Sequence, residues 1–405
     1  MGTRSDSPRI LYVTGFWPDE RSNGAATRSL AILRALQQVG SVDVVVLDQQ
    51  HRDPSSIGMP DGEFKVEYAL PVEPRPNKGW IDKLRWTFDP ERLYPNGLGV
   101  GGAGVTRLFR SLDEFELAWF FMLVAPDMFP RREWGNSVVD ISDVPSTLAR
   151  THLRIARGLG DRLQAYRRLW MWGRREKLVG DRFAVLAVCT EGDRQYLQRR
   201  GVKVPIHVIP NGFDKPTNEP VRSPAEPPRI GFIGTFAHFP NRDGIEWFVK
   251  NCWSRIKQEV PAARLRLVGS GSNGPLKPVG PDIDGLGYVA DPAGEIKTWS
   301  AMVTPIRMGG GTRVKVAQAF SQKCPLVSTS LGAHGYDAVD GHNMSLADSA
   351  DAFAAACVRV IREPESAAQM ADRAWHQFLE KWTWEAISPR VWAAAEDCLR
   401  RRNGG

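Results

Sequence analysis

A breaker-rich stretch near the middle of the chain, DKPTNEPVRSPAEPP at residues 214–228, separates two runs that each read as strands alternating with helices. Prolines and polar residues deny that stretch a core of its own and mark it as a domain boundary. Before it, RILYVTGFWP reads as a buried strand, TRSLAILRALQQVG as a helix that stops at Gly40, and VDVVVLD as a second strand. The strands lack alternation, as expected when helices cover both faces of a parallel sheet. After it the cycle restarts with the strand RIGFIGTF, the helix DGIEWFVKNCWSRIKQEV and the strand ARLRLVGSG. Two doubly wound α/β domains follow from this pattern, and a length of 405 residues suits two cores better than one.

The expected division is 1–213 for a first Rossmann-like domain, 214–228 for the linker and 229–383 for a second domain. Residues 384–405 form a helix expected to cross back to the first domain. ELAWFFMLVAP, SVVDIS, AVLAVCT and PIHVIPNG supply further strands before the linker; AMVTPIR and PLVSTS do so after it. Residues 53–104, rich in proline and glycine, read as an insertion without a clear period.

The net charge of +7 favours a polyanionic ligand, whether a diphosphate, an acidic membrane surface or nucleic acid. The five cysteines (Cys189, Cys252, Cys324, Cys357, Cys398) are scattered and form no C-x-x-C, which argues against a disulfide framework or a zinc site. No stretch is apolar for long enough to span a bilayer. The expected address is cytoplasmic, with the inner face of the membrane as a variant.

The strongest chemical signal is PIRMGGGTRVKVAQAF. A strand ends near Ile306, Gly309, Gly310 and Gly311 form a loop, and a helix opens at Thr312. Such a junction offers backbone N–H groups and the positive end of a helix dipole to an anion. Arg307, Arg313 and Lys315 add positive charge, although a tight turn with solvated cations would use the same residues. Two G-x-G-x-x-G matches carry less weight. GLGVGG follows a loop rather than a strand, and GSGSNG is followed by PLKPVGP where a helix should open.

Residues 229–345 resemble the donor domain of the GT4-like glycosyltransferases, the glycosyl transferases group 1, and most of all a bacterial subgroup linked to polysaccharide biosynthesis. The matching segments are GFIGTFAHFPNRDGIEWF, ARLRLVGSG, GLGYVAD and PIRMGGGTRVKVAQAFSQKCPLVSTSLGAHGYDAVDGHN. PNGFD at 210–214 and the first 40 residues match less specifically, and 41–205 only loosely. The resemblance implies the GT-B architecture, two facing Rossmann-like domains with a cleft between them. It also implies sugar transfer from a nucleoside diphosphate sugar with retained configuration, and no metal or other cofactor.

Residue by residue, the resemblance places Gly310, Gly311 and Thr312 at the donor diphosphate, with Gly234, Thr235, Gly309 and Arg313 as further donor-binding candidates. It makes Lys315 and Arg307 the cations that neutralise the leaving group, and sets Tyr288 and Val289 by the nucleobase. Gln318 stands where the family carries a glutamate for the ribose hydroxyls, and Gly310 where many members carry a second. In the first domain, Asn23 and Gly24 of DERSNGAATRS reach towards the diphosphate, though a plain turn explains that loop nearly as well. Asp140 and Asp143 of VVDISDVPS are candidates to polarise the acceptor or to cap the next helix, and Ser142 replaces a histidine common in the family. His152 and His238 are weaker candidates.

The expected acceptor is a glycan, a lipid-linked glycan or a small-molecule natural product, with no nucleic acid partner. The basic stretch from Arg154 to Phe183, containing Trp170 and Trp172, suggests a peripheral membrane contact; a solvated face with buried tryptophans fits equally. Two rival functions stay open: a nucleotide-sugar epimerase of the same fold, and a catalytically degraded nucleotide-sugar-binding protein, which Gln318 and Ser142 would suit.

Overall fold

The structure, a computed structural model, describes residues 7–17, 24–49, 66–74, 79–90, 98–129, 134–156, 158–275, 278 and 280–403. The chain forms two compact units: Met1–Ile209 together with Ser388–Gly405, and Pro210–Ile387.

In the first unit the main sheet is built from β1 (Arg9–Thr14), β2 (Ser41–Asp48), β3 (Val66–Pro71), β6 (Leu117–Phe121), β7 (Ser137–Ile141), β8 (Val185–Val188) and β9 (Ile206–Val208). β4 (Glu73–Pro74) and β5 (Leu98–Gly99) pair only with each other, antiparallel. The seven-stranded order is β3-β2-β1-β6-β7-β8-β9, and every ladder is parallel. Central strands such as Ile10–Val13, Val44–Leu47 and Val185–Val188 are buried along their length, which explains their uninterrupted apolar runs. The strand order reverses between β1 and β6, the kind of crevice where doubly wound folds bind ligands.

The second unit repeats this plan with β10 (Arg229–Ile233), β11 (Arg264–Val268), β12 (Ile283–Gly287), β13 (Ala301–Thr304), β14 (Leu326–Ser328) and β15 (Ser345–Leu346). The order is β12-β11-β10-β13-β14-β15, again parallel throughout, with its reversal between β10 and β13. Helices Phe239–Phe248 and Val314–Ser321 follow those two strands and so open beside the reversal. The core here is aromatic: Phe248 stacks edge-on to Phe353 at 5.7 Å between centroids, and Tyr336 packs on Trp382 at 4.8 Å.

Two segments differ from the sequence expectation. Val66–Pro71, within the supposed insertion, is the edge strand of the first sheet, parallel to β2. It buries little beyond Leu70, so it lacks the apolar run that reveals a central strand. Ile283–Gly287, to which the sequence pattern assigns no strand, is likewise an edge strand, and its two glycines hide it.

The segment 214–228 is held to the second unit. Arg222 donates to the carbonyl of Ile296 at 2.7 Å, and the Ser223 and Ala225 amides donate to Lys297 and Thr298. The final helix, Trp384–Asn403, is shared between the units. From Ser388 onward it belongs to the first, where Trp392 donates to the Ala35 carbonyl at 2.9 Å and Asp397 meets His207 at 3.1 Å. All five cysteines are free and buried.

Candidate functional site

At the reversal of the second sheet, three stretches distant in sequence converge. The first is the loop after β10, Gly234 to His238. Its turn is fixed by Asn241, whose amide donates to the Thr235 carbonyl at 3.0 Å, and by the His238 amide, which donates to the same oxygen at 3.2 Å. The second is the glycine loop after β13, where Gly309 (φ 136°) and Gly311 (φ 63°) take backbone conformations closed to most side chains. The third is Asn211, at the start of the unit. Its backbone amide donates to Thr312 Oγ1 at 2.8 Å and its side chain donates to the Thr312 carbonyl at 2.9 Å. The hydroxyl of the fully buried Tyr336 donates to the Arg313 carbonyl at 2.8 Å, so the loop is fastened just where the helix Val314–Ser321 begins.

The three cations of the motif have different fates. Arg307 is held in a two-pronged ion pair by Asp243, with Nε to Oδ2 at 3.0 Å and Nη2 to Oδ1 at 2.6 Å, and it lies over the Trp247 ring. Arg313 folds back and donates to the Gly310 carbonyl, bracing the loop. Lys315 has no carboxylate partner among the described residues. Its ammonium donates to Asn241 Oδ1 at 2.8 Å and sits 4.1 Å from the centre of the Phe232 ring. Burial, with the charge of Arg313 adding to it, pulls the Lys315 pKa well below the usual lysine range.

Gly234 is required by this arrangement. A Cβ there would lie 2.7 Å from Asn241 Nδ2 and 3.1 Å from Lys315 Nζ. His238 feels the same field: burial first, then Lys315 and Arg313, push its imidazole below the usual value. The site therefore gathers positive charge beside a glycine loop and a helix start, which suits a phosphate group.

The other donor-side candidates surround it less tightly. Gln318, one turn into the helix from Lys315, is 8% exposed, and its side-chain amide makes no hydrogen bond among the described residues. Tyr288 is exposed just past β12, and Val289 packs against the core. The GSGSNG stretch is filled by protein: the Gly287 amide donates to the buried Ser272 hydroxyl at 2.9 Å, and Gly269 packs on the Gly234 carbonyl.

In the first unit the structure redistributes the candidates. Asp140 was expected to meet the acceptor, but it is fully buried. Both its oxygens are taken by Arg28, with Nε at 3.1 Å and Nη2 at 3.0 Å, and Arg28 is itself fully buried. An incoming hydroxyl has no access to that carboxylate. Burial, the largest influence, opposes both charges; for Arg28 the charge and hydrogen bonds of Asp140, with smaller help from Cys189 and Tyr12, together outweigh it and hold its pKa above the ordinary value. Asp143 is exposed at the carboxyl end of β7, and the buried Ser142 Oγ lacks a partner among the described residues.

Neither aspartate caps the helix Pro145–Ile155. That role falls to Glu176, whose Oε1 accepts from the Ser146 amide at 2.7 Å and whose Oε2 accepts from the Ser146 hydroxyl. The sequence reading missed Glu176 because a cap from 30 residues downstream leaves no local signature. His152 pairs with Asp161 at 3.1 Å rather than facing a site. Gly24 begins the helix Gly24–Gln37, and Asn23 lies outside the described residues. No cluster of three or more His, Cys, Asp or Glu side chains suited to a metal occurs among the described residues.

Comparison with known proteins bears on this geometry. Residues 227–363, which contain the whole glycine-loop site except Asn211, match the family of glycosyl transferases group 1. Among solved structures, sucrose-phosphate synthase (tll1590) from Thermosynechococcus elongatus superposes with a TM-score of 0.69 at 16% identity, over 98% of this chain and 99% of that one. The pneumococcal O-GlcNAc transferase GtfA, in complex with UDP and GlcNAc, gives 0.64 at 13% identity over 97% and 99%. Anabaena Alr3699/HepE, in complex with UDP-glucose, gives 0.61 at 14% over 95% and 98%. Among curated proteins none matches the chain as a sequence relative. Residues 227–363 of the second unit match the glycosyl transferases group 1, and both units have the Rossmann-like form of the GT-B fold.

Proposed function

We propose that the second domain binds a nucleoside diphosphate sugar with its diphosphate at the glycine loop, and that the first domain takes the acceptor, a glycan, lipid-linked glycan or small-molecule natural product. The observation that carries this reading is Lys315: a side-chain amine without a carboxylate partner among the described residues, on the first turn of the helix that follows the glycine loop 309–311. Such a site is electrostatically incomplete until an anion fills it.

Transfer breaks the bond between the anomeric carbon and the diphosphate oxygen, and the electron pair leaves with the phosphate. The acceptor hydroxyl forms the new bond at that carbon, and its proton ends on the departing diphosphate. Lys315 and the amides at the start of the helix Val314–Ser321 lie where that negative charge would develop, so they act as preorganised electrostatic catalysts. Arg307, fixed by Asp243 and Trp247, supplies long-range field and shape. We infer a retaining outcome, a cytoplasmic address and no metal requirement, cationic side chains taking the place of a divalent ion. The five buried thiols suit a reducing compartment.

Thermal unfolding of the purified protein with a panel of nucleoside diphosphates and nucleotide sugars tests the reading. One nucleoside diphosphate should raise the midpoint specifically, through preferential binding to the folded state. A panel that leaves the midpoint unmoved would overturn the phosphate-site assignment.

A further inference from the structure

Twelve large hydrophobic side chains are exposed among the described residues, and eight of them lie on two helices of the first unit. On the helix Gly158–Arg175 these are Leu159 (82% exposed), Leu163, Tyr166 and Trp170; on the helix Gly79–Phe88 they are Trp80 (71%), Ile81, Leu84 and Phe88. The two groups are joined. The Phe88 and Trp170 rings meet edge to face at 5.7 Å, Arg167 donates to Thr87 Oγ1, and Arg175 donates to the Asp89 carbonyl at 3.1 Å.

Helical spacing explains the geometry. Leu159, Leu163, Tyr166 and Trp170 fall within about 60° of arc, a stripe narrower than a core-facing helix needs, and here it points outward. Away from the stripe the helix buries Ala165 and Met171, on its opposite side. Exposed Arg162 flanks the stripe on one side and Arg174 on the other, the latter 4.8 Å above the Trp170 ring. The helix holds five arginines against one acidic residue, Asp161. An outward apolar stripe of this size, rimmed by cations, marks a contact surface rather than a solvated face.

We propose that this two-helix face docks the protein onto an anionic lipid bilayer. Leucine and aromatic side chains enter the interfacial region, and the flanking arginines meet lipid phosphates. No helix among the described residues is long and apolar enough to cross a membrane, so the attachment is peripheral. The surface lies on the domain assigned to the acceptor. Hence lipid-linked glycans become the favoured acceptor class, a step that rests on the function proposed above, whereas bilayer binding does not.

Flotation of the full chain with phosphatidylglycerol–phosphatidylcholine vesicles, against phosphatidylcholine alone, tests this. Binding should require the anionic lipid, weaken with added salt, and fall about tenfold or more in Leu163→Ser/Trp170→Ser. Arg162→Gln/Arg174→Gln should weaken it and flatten the salt dependence. Stabilisation by UDP, recorded on every variant, checks folding and keeps the donor reading separate, since either can fail alone. Absence of flotation, equal binding to neutral vesicles, or a self-association abolished by Leu163→Ser/Trp170→Ser without any vesicle binding would each overturn the proposal.

Discussion

Both domains reverse their strand order once, at β1/β6 and at β10/β13, and both place a buried or half-buried cation beside the reversal. In the first domain that cation is Arg28, and Asp140 neutralises it with two hydrogen bonds inside the core. In the second it is Lys315, whose partners are a neutral amide and an aromatic ring, while the nearby Asp243 is committed to Arg307. One cation is neutralised by its own ion pair; the other has no carboxylate partner among the described residues, as the proposed anion site requires. Identical topology therefore says where a ligand can sit, and the local charge balance says whether the place is already taken.

Breaking the closed site should give the largest effect. Asp140→Ala strands the Arg28 guanidinium in the core and should cost about 3–5 kcal/mol of stability, read from denaturant unfolding. Replacing both partners by apolar residues, Arg28→Met with Asp140→Leu, should recover most of that loss. If Asp140→Ala costs little, the pair is not what holds this crevice shut.

Lys315→Ala is the matching test of the open site, with the opposite signature. Turnover should fall about 10²–10³-fold while the unfolding midpoint holds or rises, because an uncompensated buried amine contributes nothing favourable to the empty fold. Near-normal turnover would remove Lys315 from the mechanism. The pH dependence has a definite sign. Burial and the Arg313 charge hold the lysine below its ordinary pKa in the free protein, and a bound diphosphate would raise it, so at pH values between the two donor binding takes up a proton. Affinity should therefore decline as pH rises from that lowered value towards the ordinary lysine range, and calorimetry in buffers of different ionisation enthalpy should register the uptake.

A second buried carboxylate sharpens the contrast. Glu176 is 1% exposed and, among the described residues, is hydrogen-bonded only by Ser146, whose hydroxyl in turn meets Tyr196 at 2.6 Å. Burial pushes its pKa up to about 7, against hydrogen bonds that lower it. A carboxyl raised in the folded state contributes stability that is full below its unfolded value and is lost as pH climbs through the folded one. Between the unfolded value and about pH 7 that amounts to about 3 kcal/mol. Glu176→Gln, which mimics the protonated form, should flatten the stability profile over that window; an unchanged profile would mean the charge is relieved some other way.

Legibility in the sequence followed distance along the chain. The glycine loop, its flanking cations and its helix lie within one continuous segment, so their chemistry could be read locally. The partition of those cations could not. Asp243, 64 residues before Arg307, takes that guanidinium and leaves Lys315 alone. Asp140 looked accessible because it stands near the end of a strand, yet the parallel sheet brings up Arg28 from 112 residues away. Central strands announced themselves by unbroken apolar runs, whereas edge strands β3 and β12 bury too few residues to do so. Trp170 and its neighbours could be read equally as core or surface until the buried face of their helix was known.

The smallest effect concerns the residue that fits the family pattern least. Gln318 is nearly buried in the helix that carries Lys315, and its amide makes no hydrogen bond among the described residues. If it meets the donor ribose, it can accept one hydroxyl proton and must turn an N–H towards the other oxygen, where a carboxylate would accept both. Charge-assisted hydrogen bonds exceed neutral ones by about 1 kcal/mol, so Gln318→Glu should tighten the preferred nucleoside diphosphate by about fivefold. The gain should vanish with the 2′-deoxy analogue. It should be accompanied by a lower unfolding midpoint in the empty protein, since a nearly buried carboxylate without a partner is costly. Weaker binding to both ribose and deoxyribose forms would place Gln318 against the base instead, and would make the amide a determinant of which nucleoside this crevice accepts.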